Sequence, residues 1–338
     1  MLRSVRSHQS IFLTLTCFVA CLSASACSSD SKDDGPSGNA GAATAGSSNG
    51  GSSNAGSGSG AAGNASTLDP DTHGGVVLQL IPPSDTGEGR VGLVGRFFDA
   101  ASPESFPLEL SDEVGDCKLL VPALPFCATS CSPDVCTADD VCTPYPKPRD
   151  VGTLTVTGLG EPLELVAKTT MLVYQPPSLA YPPCAPGDAL SVSAPGLALD
   201  AKCIAPLELT GPDPIPVMSG QSVKVQWVAQ AGDATRIRIG LDVSHHGGKK
   251  GQIDCEVADT GSFEIPASLV TKLIDLGLAG FPTINVNRVS VGESSATPNL
   301  TFLVSSDVTR AVDTGVESCL DDSACEAPKT CQPAGICE

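Results

Sequence analysis

The residues most able to do chemistry in this 338-residue chain are its 15 cysteines. Their spacing decides between metal ligation, redox exchange and covalent cross-linking. Structural zinc needs four converging thiolate or imidazole ligands, commonly supplied by paired C-x2-4-C units. "CATSC" (127–131) and "CSPDVC" (131–136) have intervals of three and four, compatible with such a site. C-x-x-C and C-x-x-C-H are both absent, which removes thioredoxin-like exchange and covalent haem attachment at the level of motif. In an oxidising compartment the same cysteines pair with one another instead.

Histidine is scarce. Beyond the first 26 residues there are His73, His245 and His246, the last two in "VSHHGGKKGQ". With Lys249 and Lys250, this segment is a candidate binding loop for a metal or an anion, basic in an acidic chain. The competing reading is a polar, glycine-rich loop that keeps a hairpin soluble. No further ligand is evident for these imidazoles, so no metal site and no cofactor are assigned. Blue copper needs Cys and His in one compact loop, and no Cys here is closely followed by His.

Hydrolytic motifs are equally sparse. "GESSA" (292–296) departs from the G-x-S-x-G elbow, which requires a strand before it and a helix after it. The zincin, P-loop and dinucleotide-binding patterns are missing. The adjacent acids Asp112–Glu113, Asp139–Asp140 and Asp321–Asp322 lack the EF-hand spacing and read as solvated turns. No catalytic residue is assigned. A carboxylate pair for glycoside cleavage has no sequence spacing of its own, so an exported hydrolase acting on polysaccharide through loop carboxylates stays as the alternative function.

The compartment follows from the start of the chain. Arg3 and Arg6 precede the apolar run "IFLTLTCFVACL" (11–22), and small residues follow, the layout of a secretory signal peptide. "ASAC" (24–27) resembles the lipobox of bacterial lipoproteins, a resemblance carried by the first few dozen residues. It implies cleavage before Cys27 and acylation of that cysteine, with the following serine directing the protein to the outer membrane. Removing Cys17, Cys21 and the lipidated Cys27 leaves 15 − 3 = 12 cysteines, an even number. They are Cys117, Cys127, Cys131, Cys136, Cys142, Cys184, Cys203, Cys255, Cys319, Cys325, Cys331 and Cys337, the disulfide candidates.

Residues 28–67 are rich in Gly, Ser, Ala and Asn and cannot bury enough apolar surface to order themselves. As a flexible coil this tether spans about 35 Å. Without the two signal arginines the charge balance is 17 − 38 = −21. A chain so acidic repels nucleic acid, and no nucleic-acid partner is expected.

From residue 71 onward the chain reads as all-β, with short apolar runs separated by turn residues. Strands are expected in "GGVVLQLIP", "RVGLVGRFFDA", "CKLLVP", "GTLTVTGL", "LELVAK", "TMLVYQP" and "ALSVSAP". They are also expected in "SVKVQWVAQ", "TRIRIGLDVS", "GQIDCEVAD", "INVNRVSV" and "LTFLVSS", and one helix in "PASLVTKLIDLG". In "TRIRIGLDVS" the alternation points Ile237, Ile239, Leu241 and Val243 inward and Arg236, Arg238 and Asp242 outward. The stretch 127–148 has turn chemistry without apolar periodicity and reads as a disulfide-tied insert.

The strand spacing resembles immunoglobulin-like or fibronectin-type sandwiches in architecture, although Cys203, Trp227 and Cys255 do not match the immunoglobulin Cys–Trp–Cys spacing. Cys319, Cys325, Cys331 and Cys337 recur with five residues between them, an interval similar to the cysteine repeats of Dickkopf-type modules over about 20 residues.

The expected organisation is a signal peptide (1–26), a lipid-anchored tether (27–70), a β-rich domain with a cysteine-rich insert (71–210, insert 117–142), an immunoglobulin-like sandwich (211–312) and a small cysteine module (313–338). The expected function is a non-enzymatic binding, adhesion or envelope-structural protein of the outer membrane or cell surface, with secretion as the alternative. Its partners would be the membrane, through the lipid, and a protein or carbohydrate ligand.

Overall fold

Apolar residues at every second position bury one face of a strand and leave the other for solvent or a second layer. This rule accounts for most elements of the computed structural model. It describes residues 72–83, 87–104, 107–168, 171–232, 234–245, 248–294, 297–317, 319–333 and 337. The expected signal peptide, the expected tether and Cys27 lie outside the described residues.

The elements in order are β1 (Gly74–Ile81), β2 (Arg90–Phe97), β3 (Leu108–Val114), β4 (Cys117–Pro122), β5 (Val135–Ala138) and β6 (Val141–Thr143). Next come β7 (Leu154–Thr157), β8 (Leu163–Leu165), β9 (Ala189–Ala194), β10 (Leu197–Lys202), β11 (Leu209–Thr210), β12 (Ile215–Pro216) and β13 (Val223–Trp227). The last are β14 (Arg236–Asp242), β15 (Gln252–Ala258), β16 (Ser262–Ile265), α1 (Ala267–Asp275), β17 (Thr283–Ser294) and β18 (Thr297–Asp313).

The chain is all-β with a single short α-helix among the described residues, several sheets and a C-terminal cysteine cluster. The main sheet runs β2-β1-β18-β17-β14-β15-β4-β3, with β12 on the far half of β18. The long hairpin β17–β18 is its axis, and β1 joins β18 in parallel while the other neighbours on that path are antiparallel. Strands on both sides of residue 210 therefore share this one sheet.

Two hydrophobic cores form on its inner face. At one end, Val76, Leu78, Leu80, Leu93, Phe97, Phe302 and Val304 pack against Leu154, Val156, Leu190, Val192 and Leu199 of the small sheet β10-β9-β7-β8. At the other end, Ile237, Ile239, Leu241, Ile253, Ile284 and Val286 pack against Val223, Val225, Trp227 and Ile265 of β11-β13-β16 and against Leu269, Val270 and Leu273 of α1. Each end is a two-layer sandwich of the kind a half-apolar sheet requires.

Pro266 lies just ahead of the helix in extended conformation, and Gly277, at φ 108°, takes the left-handed backbone that ends it. One expected strand is corrected: "TMLVYQP" forms isolated bridges only, Lys168 with Val173 and Gly95 with Tyr174. Tyr174 faces inward against Phe97, with ring centroids 5.6 Å apart, and its hydroxyl donates to Asp150 Oδ1. A single anchoring aromatic fixes the segment without a ladder.

Candidate functional site

All 12 candidate cysteines are cross-linked: Cys117–Cys255, Cys127–Cys136, Cys131–Cys142, Cys184–Cys203, Cys319–Cys331 and Cys325–Cys337. Cys117–Cys255 joins register partners on β4 and β15 inside a core. The sulfurs of Cys127, Cys131 and Cys136 lie within 4.8 Å of one another, as do those of Cys319, Cys325 and Cys331. Their donor capacity is taken up by S–S bonds, so the arrangement is a staple and not a metal centre.

The insert between β4 and β7 is built almost without a core. Val135 is buried, while Leu124 and Phe126 are 74% and 71% exposed and Val141 and Tyr145 are also exposed. Two disulfides replace the missing core by tying the 127–131 arm to both strands of the β5–β6 hairpin, where Cys136 and Cys142 are register partners. Backbone pairing fixes both ends: Ala123 N donates to Pro107 O, Asp99 N to Lys147 O and Arg149 N to Phe97 O. The hairpin was not expected from sequence, because its strands are short and lack alternation. The result is a covalently held platform that shows large apolar side chains to solvent.

A second constellation lies on the outer face of the main sheet. Arg238, Gly240 and Asp242 of β14 stand beside Gln252 and Asp254 of β15, and Gly240 pairs on its other side with Asn285 of β17. The alternation marks this face as outward, yet Gln252, Asp254 and Asn285 are buried, Asp254 to 5% exposure. Gln252 Nε2 donates to Asp254 Oδ2 at 2.7 Å, while Asp254 Oδ1 has no hydrogen-bond partner. Burial raises the Asp254 carboxyl to about 8, with Gln252, Lys249 and Arg238 pulling it down and Asp242 adding to the rise.

This is where the candidate loop arrives. Lys249 is exposed as a residue, but crowding around its ammonium lowers its pKa against the upward pull of Asp242, Asp254 and Glu104. Lys250 N donates to Ser244 Oγ, and the His245 carbonyl accepts from Phe281 N, so the loop is tied down at both. His246 lies outside the described residues. The structure thus places Lys249 among carboxylates, while Lys250 is joined to the loop through its backbone. Asp254 went unnoticed in sequence because an acid at an outward strand position is ordinarily solvated; no local pattern reveals that this one is buried.

No protein-family model matches the chain, and no curated protein matches it. Among solved structures it is similar to the crystal structure of chicken CNTN1 FN1–FN3 domains. The similarity covers 61% of this chain and 65% of that chain, at 11% identity and a TM-score of 0.15. At that score the likeness carries no argument about either fold or function.

Proposed function

We propose that this chain is a lipid-anchored extracytoplasmic binding protein, held at Cys27 on the Gly/Ser-rich tether in the outer membrane or at the cell surface. The observation that carries the reading is the insert: Leu124 and Phe126 are held in solvent by two disulfides on an element with almost no core. Apolar exposure at a covalently fixed site is what a protein or carbohydrate contact uses, since a rigid platform loses little entropy when it binds. The test is a glycan and protein array probed with the chain and with L124S/F126S. A hit that the double variant loses supports the reading; arrays that respond equally to both defeat it. Anchorage is tested separately by fractionation of C27A, which should leave the membrane fraction.

The exported hydrolase is the second reading, and Asp254 favours it. A carboxyl that stays protonated near neutrality is what a general acid must be, although it sits on β15 and not in a loop. D254N assayed on a polysaccharide panel decides the point: activity in the parent and none in the variant would replace the binding reading.

A further inference from the structure

The insert holds its acids and its apolar side chains together. Between Ala123 and Pro148 the charged residues are Asp134, Asp139, Asp140 and Lys147, three acids against one base. All three acids are exposed. Two are fixed directly beside Phe126: its N–H donates to Asp139 Oδ1 at 2.9 Å, and its carbonyl accepts from Asp140 N at 3.0 Å. Asp140 Oδ1 in turn accepts from Ala128 N at 2.9 Å. The other side of this cluster is closed by the hairpin, where Cys127 Sγ lies 3.8 Å from the carbonyl of the exposed Val141.

On the reading of the chain as a binding protein, we infer that this surface docks a basic protein surface, with Leu124, Phe126 and Val141 in apolar contact and Asp139 and Asp140 receiving Lys or Arg side chains. Charge selects the occupant. A second copy of the chain processed at Cys27 brings a net charge of 17 − 38 = −21 and the same three acids, which oppose association. Nucleic acid and anionic bilayers are repelled for the same reason. A guanidinium or ammonium arriving beside Phe126 instead meets two carboxylates and an aromatic ring, which attract it together. The backbone bonds hold the acids in place beforehand, so little side-chain ordering remains to be lost on contact.

The test uses the detergent-solubilised full chain and three probes: a short amphipathic Lys/Leu peptide, its Glu/Leu counterpart, and vesicles of phosphatidylglycerol. The chain should bind the Lys/Leu peptide, lose affinity as salt rises, and ignore the other two. D139N/D140N keeps both Oδ1 acceptors and removes both charges; it should weaken binding about tenfold. L124S/F126S should weaken it at least as much. Equal binding of the Glu/Leu peptide, binding to vesicles alone, or no change in D139N/D140N would overturn the basic partner. If L124S/F126S abolishes binding while D139N/D140N does not, the insert remains the binding element and only the partner's charge is wrong. If L124S/F126S has no effect, the placement of function on the insert fails as well. Peptide mapping of Cys127–Cys136 and Cys131–Cys142 confirms folding of each variant; if L124S/F126S misfolds, D139N/D140N and the salt dependence decide alone.

Discussion

Arg288 Nε donates to Asp259 Oδ2 at 2.7 Å, and both side chains are 1% exposed. The pair sits where the two cores meet. Arg288 Nη1 also donates to the carbonyls of Ala205 and Pro206, and Nη2 donates to Val228 O and Asp259 Oδ1. Asp259 further accepts from Trp227 Nε1 and Thr235 Oγ1. Beside this node, Ser290 Oγ accepts from Lys202 N and Ser306 Oγ from Leu207 N. The segment that crosses from β10 to β11 is therefore satisfied by polar side chains of β17 and β18, which divides one apolar face into two.

Breaking this node leaves a buried charge without its partner. R288M should destabilise the protein by about 3–5 kcal/mol, read from the denaturant midpoint. Burial alone raises the Asp259 carboxyl, but hydrogen bonds from Arg288 and Trp227 and the Arg288 charge outweigh it and hold the pKa below 3.8. A depressed folded pKa contributes stability that is complete above the unfolded value and lost as pH falls through the folded one. D259N should accordingly lose the part of the acid sensitivity that lies below about pH 4. Unchanged acid unfolding in D259N would refute the assignment.

Asp254 has the opposite sign. Its folded pKa of about 8 lies above the ordinary 3.8, so the folded state binds the extra proton between those values. Stability from this group is complete below the unfolded value and declines as pH rises toward 8. D254N, which cannot ionise, should flatten this decline in a pH series of thermal unfolding. A parallel decline in both proteins would show that Asp254 is ionised at neutrality.

The six disulfides should separate into two kinds. C117A/C255A opens a link with a sequence separation of 138 inside a core, at an expected cost of about 2–5 kcal/mol. Replacing Cys127, Cys131, Cys136 and Cys142 by Ser should instead expose residues 123–148 to protease while the main transition moves little. Loss of the main transition in that variant would mean that the insert supports the sheet.

Because β17 and β18 run through both cores, the two ends should unfold together. L78A and I239A, one in each core, should each cost about 2–5 kcal/mol and shift the same calorimetric transition. Two separate transitions would contradict the shared hairpin. G292A should also destabilise, by about 1–3 kcal/mol. Its Cβ would stand 2.2 Å from Asp200 O, a backbone atom of β10 that cannot swing aside.

What the sequence determined by itself was whatever acts over a few residues. Alternation in 236–243 and 252–258 fixed strands and their apolar faces, the stripe in 267–275 fixed the helix, and an even cysteine set announced cross-linking. Arg288 was not among these, although it follows Ile284 and Val286 in the inward register. The partner was not legible, because Asp259 lies 29 residues earlier and only chain packing brings the two within hydrogen-bond reach. The same holds for the rest. Alternation cannot state which strands become neighbours, so the joining of β1 to β18 and β4 to β15 was settled by burial over long separations. Cysteine spacing does not select partners, because oxidation couples whichever sulfurs folding brings together. An acid on an outward strand face reads as solvated, and only the tertiary structure shows that Asp254 is buried.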